Sequence, residues 1–287
     1  MIRFIKVLVF GALLLLANGG HALLADYQKG LKAAQKDNYA VAYWEWTVAA
    51  EQGDAVAQLF LGQMFFEGLG VLQDYKVAMM WFKKSASSNI SMAQNNLGLI
   101  YEQGRGVDQD LKEAARWYQK AAMQGDKNAQ FNIGLMYEQG RGVTQDLEES
   151  VQWYRQAAEQ GNMLAQNNLG SIYEQGRGVD QDLKEAARWY QKAAVQGSNA
   201  AQFNLGAFYF NEGGDFRLIY SYIWFKMSME NGIDIAKVNV DFLRMNMLFS
   251  HIEKADNLID ECLKKQKHYV IDNNGAAPCL FRLLAKL

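Results

Sequence analysis

Residues 129–149 read Ala129-Gln130-Phe131-Asn132-Ile133-Gly134-Leu135-Met136-Tyr137-Glu138-Gln139-Gly140-Arg141-Gly142-Val143-Thr144-Gln145-Asp146-Leu147-Glu148-Glu149. Ala129, Ile133 and Tyr137 fall four apart on one helical face, and Gly134 beside them lets a neighbouring helix come close. The spacing predicts a first helix over 128–139. Gly140-Arg141-Gly142 ends it, because two glycines supply the left-handed dihedrals that reverse a chain. Asp146-x-x-Glu149 is a capping box that opens a second helix. There Val151, Tyr154 and Ala158 form a stripe with Trp153 at its edge, and Gly161 follows the end.

The same text recurs outward in both directions. Ala-Gln stands at Ala57, Ala93, Ala129, Ala165 and Ala201, 36 residues apart each time, and Gly62, Gly98, Gly134, Gly170 and Gly206 keep that step. Trp81, Trp117, Trp153 and Trp189 follow it too, and a large ring at the repeat spacing reads as core. Trp224 comes one residue early, because the fifth copy is shorter in its loop. Residues 93–128 and 165–200 are identical at 31 of 36 positions, which points to duplication of a two-repeat block. A hairpin of this length cannot bury its own apolar face, so copies must stack and the ends need caps. The reading is an all-α array of stacked helix-turn-helix repeats with a 36-residue period.

The flanks follow from this. Arg3 and Lys6, an apolar run from Val7 to Ala17, and the small residues Gly20 and Ala22 make residues 1–22 a secretory signal peptide cleaved after Ala22. The alternative is an uncleaved anchor, but the run is shorter than a bilayer requires. Residues 23–56 form an N-terminal capping hairpin, with Leu31 and Ala34 in its first helix, a turn at Asp37-Asn38, and Tyr39, Tyr43, Trp44 and Trp46 in its second. Five repeats fill 57–235, and capping helices fill 236–266. Ser250-x-x-Glu253 is a capping box for the last of these, which carries Ile252, Ala255, Ile259, Cys262 and Leu263 on one stripe. Residues 267–287 are expected to be a loosely held tail. Cys262 and Cys279, 17 apart, are a candidate disulfide in an oxidising compartment, and two unpaired thiols are the alternative.

Composition excludes several function classes. Half of the 287 residues are apolar or aromatic and 21% are charged, which is globular composition. The net charge of -2 leaves no basic excess for nucleic acid. Three histidines and two cysteines argue against a zinc cluster, and no His-Glu-x-x-His or Gly-x-Ser-x-Gly motif is present. No serine is followed by lysine three residues on, as serine β-lactam chemistry would usually want. Glu102, Glu138 and Glu174, with Arg105, Arg141 and Arg177, recur in copy after copy, whereas a catalytic site needs one special place. No catalytic residue, metal site or cofactor is assigned, and no later segment has the length and apolarity of a transmembrane span.

The string 129–134, followed by Tyr137-Glu138-Gln139-Gly140-Arg141-Gly142-Val143, Gln145-Asp146, Trp153-Tyr154 and Ala157-Ala158, resembles the Sel-one-like repeat family, relatives of the tetratricopeptide repeat. The resemblance covers five copies and implies a right-handed α-solenoid acting as a non-enzymatic interaction scaffold for a protein or peptide partner. It also implies that the side of the first helix opposite the core stripe lines a concave groove. The positions there are Phe66, Asn95, Glu102, Phe131, Glu138, Asn167, Glu174, Phe203 and Phe210. The phenylalanines would be sockets for side chains, the glutamates would favour basic partners, and the asparagines would bond an extended backbone. The alternative is that the phenylalanines pack into adjacent hairpins and the glutamates are solvated. The leading location is the periplasm of a bacterium. The same fold could serve outside the cell as a host-interaction or virulence factor, and a cell-wall or β-lactam-directed binder or hydrolase is a further alternative.

Overall fold

The computed structural model describes residues 24–268. The expected signal peptide, the tail beyond His268 and the expected pairing of Cys262 with Cys279 therefore lie outside the described residues.

Among the described residues there are fourteen helices and no strand. They are α1 (Leu24–Ala34), α2 (Tyr39–Glu51), α3 (Ala55–Glu67), α4 (Tyr75–Ser87), α5 (Ser91–Gln103), α6 (Leu111–Met123), α7 (Lys127–Gln139), α8 (Leu147–Glu159), α9 (Met163–Gln175), α10 (Leu183–Val195), α11 (Asn199–Glu212), α12 (Asp215–Glu230), α13 (Ala236–Asn246) and α14 (Phe249–His268). This is an all-α repeat fold. It divides into two compact units, the first closing at Gln145 and the second opening at Asp146. Within each unit, consecutive helices pack on one another in series.

Capping residues explain why the helices are so uniform. Asp74, Asp110, Asp146 and Asp182 open the second helices, each side chain accepting backbone N–H groups of the first turn. Asp54, Asp126, Asn162 and Ser198 do the same for four first helices, whereas Ile90, at the start of α5, makes no such bond. Only the forward half of the expected capping box is present. The glutamate of the box turns outward instead: Glu113 pairs with Arg116, Glu185 with Arg188, and Glu149 accepts from Trp153 Nε1. These partners lie three or four residues on along the same helix face, and the cap N–H behind is already taken, Asp110 donating to the Tyr101 carbonyl and Asp182 to that of Tyr173, both at 3.0 Å. The Ser250 box is also corrected, since α14 already begins at Phe249 and Ser250 lies inside its first turn.

The core is built by a glycine under an aromatic ring. A Cβ at Gly98 would sit 2.5 Å from the Tyr118 ring, and Gly170 stands in the same relation to Tyr190, Gly62 to Phe82 and Gly206 to Phe225. These rings are buried, so helix pairs close to backbone contact through the missing side chain. The tryptophan beside each ring behaves less uniformly. Trp153, Trp189 and Trp224 are buried, but Trp81 and Trp117 are half-buried, with Lys84 and Lys120 lying over their outer faces at 4.3 and 4.4 Å.

A buried amide row joins the hairpins. Gln58 and Gln130 in the first unit, and Gln166 and Gln202 in the second, each donate Nε2 to a carbonyl at the end of the preceding helix. Gln94, Gln166 and Gln202 also accept through Oε1 from Gln124, Gln196 and Asn231 of the helix that follows. In Gln166 and Gln202 both ends of the buried amide are thus matched, donor to acceptor, as burial demands.

At the N-terminus, Trp46 is buried over Gly30, donates Nε1 to the Tyr27 carbonyl at 3.2 Å and stacks on Phe60 at 4.7 Å. At the other end, Ala255 and Ile259 of α14 are buried as the stripe predicts. Asp256 takes Tyr222 Oη at 2.9 Å, Lys226 Nζ at 2.8 Å and Arg244 Nη2 at 3.4 Å, fastening α14 to α12 and α13. Burial alone would raise the Asp256 carboxyl, but the hydrogen bonds and charges of these neighbours outweigh it and hold it below the usual carboxylate range.

Candidate functional site

The first helices carry the candidate positions, and each unit holds its own set. In the first unit these are Phe66 on α3, Asn95 and Glu102 on α5, and Phe131 and Glu138 on α7. In the second they are Asn167 and Glu174 on α9, and Phe203 and Phe210 on α11.

In the first unit, Asn132 on α7 donates Nδ2 to Asn95 Oδ1 on α5 at 3.0 Å. Both are half-buried, and among the described residues neither side chain has a further partner, so the pair presents one spare donor, Asn95 Nδ2, and one spare acceptor, Asn132 Oδ1. One step back, Asn96 Nδ2 reaches Gln63 Oε1 at 3.3 Å. The second unit repeats the pair, Asn204 Nδ2 donating to Asn167 Oδ1 at 2.9 Å, with Asn167 Nδ2 and Asn204 Oδ1 left over. One donor beside one acceptor is what the backbone of an extended segment needs from a surface.

Glu102 has a different task. It is 18% exposed, accepts Tyr118 Oη at 2.6 Å, and pairs with Arg141 Nη2 of the next repeat's turn at 2.8 Å. Its charge is matched inside the fold and does not select a basic partner. Burial first, and the Glu102 carboxylate second, push the Tyr118 hydroxyl far above the ordinary phenol range, so it stays protonated and donates. Glu174 holds the Tyr190 hydroxyl at 2.7 Å in the second unit. Where copy one has Phe66 in place of glutamate, Arg105 of the next turn stacks on it instead, 5.1 Å from the ring centre and 5.3 Å from that of Tyr75. The arginine between the two turn glycines is therefore a clasp onto the preceding repeat. Gly142 makes the reach possible, because a Cβ there would overlap the Leu111 carbonyl.

The phenylalanines divide. Phe66 is buried against Phe82 and Tyr75 and is core, not an open socket. Phe203 is half-buried, edge-on to Phe225 at 5.2 Å, and Phe131 is likewise half-buried. Phe210 is exposed and meets Phe242 of α13 edge-on at 5.9 Å. Glu138 lies half-buried on α7, one residue before its exposed last residue, Gln139.

Sequence reading missed the other half of each amide pair, Asn132 and Asn204. A signal existed, since Asn96, Asn132, Asn168 and Asn204 keep asparagine at the fourth place of four copies. Among the described residues no cluster of three histidine, cysteine, aspartate or glutamate side chains could hold a metal ion, and no helix is long and apolar enough to cross a membrane.

The Sel1 repeat model matches residues 55–90, 91–126, 127–162, 164–198 and 199–233. The Sel1 repeat protein of Oxalobacter formigenes is similar to this chain with 32% identity and a TM-score of 0.69, over 75% of this chain and 86% of that one. A protective antigen with an SLR fold from uropathogenic Escherichia coli is 31% identical over 76% of this chain and 56% of its own, with a TM-score of 0.48. The cysteine rich protein B of Helicobacter pylori is 23% identical over 52% of this chain and 97% of its own, with a TM-score of 0.35. No curated protein matches.

Proposed function

The chain belongs to the Sel1 repeat family, whose members are commonly protein–protein interaction scaffolds, and from that premise we propose that it is an exported, non-enzymatic scaffold that binds a protein partner along its first helices. The observation that carries this reading is the pair of amides repeated in each unit. Asn95 with Asn132, and Asn167 with Asn204, each offer a spare donor and a spare acceptor on a half-exposed helix side. A peptide backbone laid along that side gains one N–H and one C=O partner at each pair, and the half-buried Phe131 and Phe203 sit beside the two pairs as apolar ground. This is the side expected, by resemblance, to line the concave face. The glutamates contribute less to selection than their charge suggests, because Glu102 is already matched by Arg141 and Glu174 holds Tyr190. Export is supported by Arg3, Lys6, the apolar run Val7 to Ala17, and Gly20-x-Ala22.

A cross-linked pull-down from bacterial envelope extract tests the reading. The bait is compared with Asn95→Ala/Asn167→Ala, which removes the acceptor each donating asparagine uses and a spare donor, at half-buried positions outside the core. A protein enriched by the wild type and lost with a variant of unchanged helicity is the expected result. Equal capture by both baits would remove the amide pairs from the binding surface. N-terminal sequencing of the envelope form checks the export signal, and a chain still beginning before Ala22 would contradict it.

A further inference from the structure

The C-terminal capping helices leave a second, unassigned surface. Helix α13 is apolar on two sides. Ala236, Val240 and Leu243 face the core and are buried. Ile235, Val238, Phe242 and Met245 face water, at 65%, 68%, 52% and 85% exposure. Their spacing is three, four, three, which keeps them on one narrow side of the helix, the pattern of a seam between two helices. Leu248 and Phe249, which follow the helix in the chain, are exposed as well, Phe249 to 79%.

By these exposures the four seam residues leave on the order of 500 Å² in water, the larger part of the roughly 800 Å² that each partner contributes to an interface of standard size. Monomers seldom expose an apolar patch so large. We propose that this face is closed by a second copy of the same chain, with the two α13 helices antiparallel about a two-fold axis. The seam is self-complementary in that arrangement. A two-fold at Val240 sets Val238 opposite Phe242 of the second copy, twice, and Ile235 opposite Met245, twice, so each large residue meets a smaller one or a flexible one. On one flank Asn239 meets Asn239, amide to amide. On the other, Lys237 of each copy comes within one helical turn of Asp241 of the other, giving two opposite-charge pairs. The symmetry closes on itself, so the product is a dimer and not a filament.

Sedimentation of the full chain between about 1 and 200 μM tests the proposal. A reversible doubling of mass is expected. Phe242→Asp should raise the dissociation constant at least tenfold while leaving helicity unchanged and melting lowered only by the loss of its edge-on contact with Phe210. Lys237→Glu should weaken the dimer, and Lys237→Glu/Asp241→Lys should restore it, which reads the register itself. Trp44→Ser, on the other exposed apolar stripe formed by Val41, Trp44 and Val48 of α2, should leave the dimer intact. A wild type that stays monomeric at 200 μM overturns the proposal, whether residues 269–287 or another protein covers the face. Association that survives Phe242→Asp, or that is lost equally with Trp44→Ser, overturns it as well.

Discussion

Gly98→Ala adds one methyl group to the close approach on which stacking depends, and its cost can be worked out from three terms. Replacing glycine by alanine inside a helix is favourable by about 1 kcal/mol. Against that, the new Cβ lies 2.5 Å from Tyr118 Cδ1, well inside van der Waals contact, so the ring must move by about 1 Å in a packed core, an overpacking cost of about 1–3 kcal/mol. The ring cannot move freely, because its hydroxyl is held at 2.6 Å by Glu102; losing that bond to a charged acceptor adds about 1.5–3 kcal/mol. The sum is a destabilisation of about 1.5–5 kcal/mol, opposite in sign to the helix-propensity expectation. Guanidinium denaturation followed by circular dichroism gives the midpoint shift. The companion variant Gly98→Ala/Tyr118→Leu makes room for the methyl group and should recover part of the loss relative to Tyr118→Leu alone. A Gly98→Ala protein as stable as the wild type, or more so, would refute the argument that close helix approach is what the glycine provides.

Gly125 makes the contrasting case: its φ is +88° with nothing within 4 Å of a would-be Cβ, so Gly125→Ala should cost about 1–2 kcal/mol through backbone strain alone, with Gly125→Asn losing less in the same assay. Arg141→Met should cost about 1 kcal/mol by leaving Glu102 with Tyr118 as its one partner, and a double-mutant cycle with Glu102→Gln should recover most of that as coupling energy. Asp256→Asn should destabilise by about 1–2 kcal/mol at neutral pH. The sign follows from the carboxyl being held below its ordinary value in the fold: the stability it contributes is full above the ordinary carboxylate range and is lost as pH falls through the folded value. Thermal melts of Asp256→Asn and wild type should therefore converge in strong acid, and a gap that stays constant down to pH 2 would contradict the pairing.

Much of the fold is visible in the string, because the features that make a hairpin are local. Gly140 at the end of α7 has φ +66° and caps it, and Asp146 caps α8, each within a few residues of the signal that announced it. What the string did not show depends on the stagger between copies. Arg141 meets Glu102 from 39 residues away and Asn132 meets Asn95 from 37, separations fixed by how far one hairpin slides along the next. The choice between Trp117 and Tyr118 as the buried ring was legible, since the stripe ran through Tyr154 with Trp153 at its edge, but its cause lies across the hairpin. Adjacent residues on a helix point about 100° apart, and which one enters the core is settled by where Gly98 lies on the facing helix. For α13, apolar residues on both sides were legible, but not which side would find a neighbour.

The repeat itself separates stacking from recognition. A residue that meets the same task in copy after copy is fixed by the stack, as the buried glutamines of α3, α7, α9 and α11 are by the carbonyls they clasp. The Glu102 position shows that even a changed letter can keep the old task, since Phe66 receives Arg105 where Glu102 receives Arg141. The third position behaves otherwise. It runs Leu59, Asn95, Phe131, Asn167, Phe203, and asparagine there is met by the fourth-position asparagine of the following copy. Asparagine and phenylalanine therefore alternate with a period of two repeats, not one, in step with the near-identity of 93–128 and 165–200. Stacking has a period of one and cannot require that alternation. On the binding reading proposed above, a surface that uses two copies to make one amide pair and one apolar seat accounts for it, and duplication of a two-repeat block would have copied that surface whole.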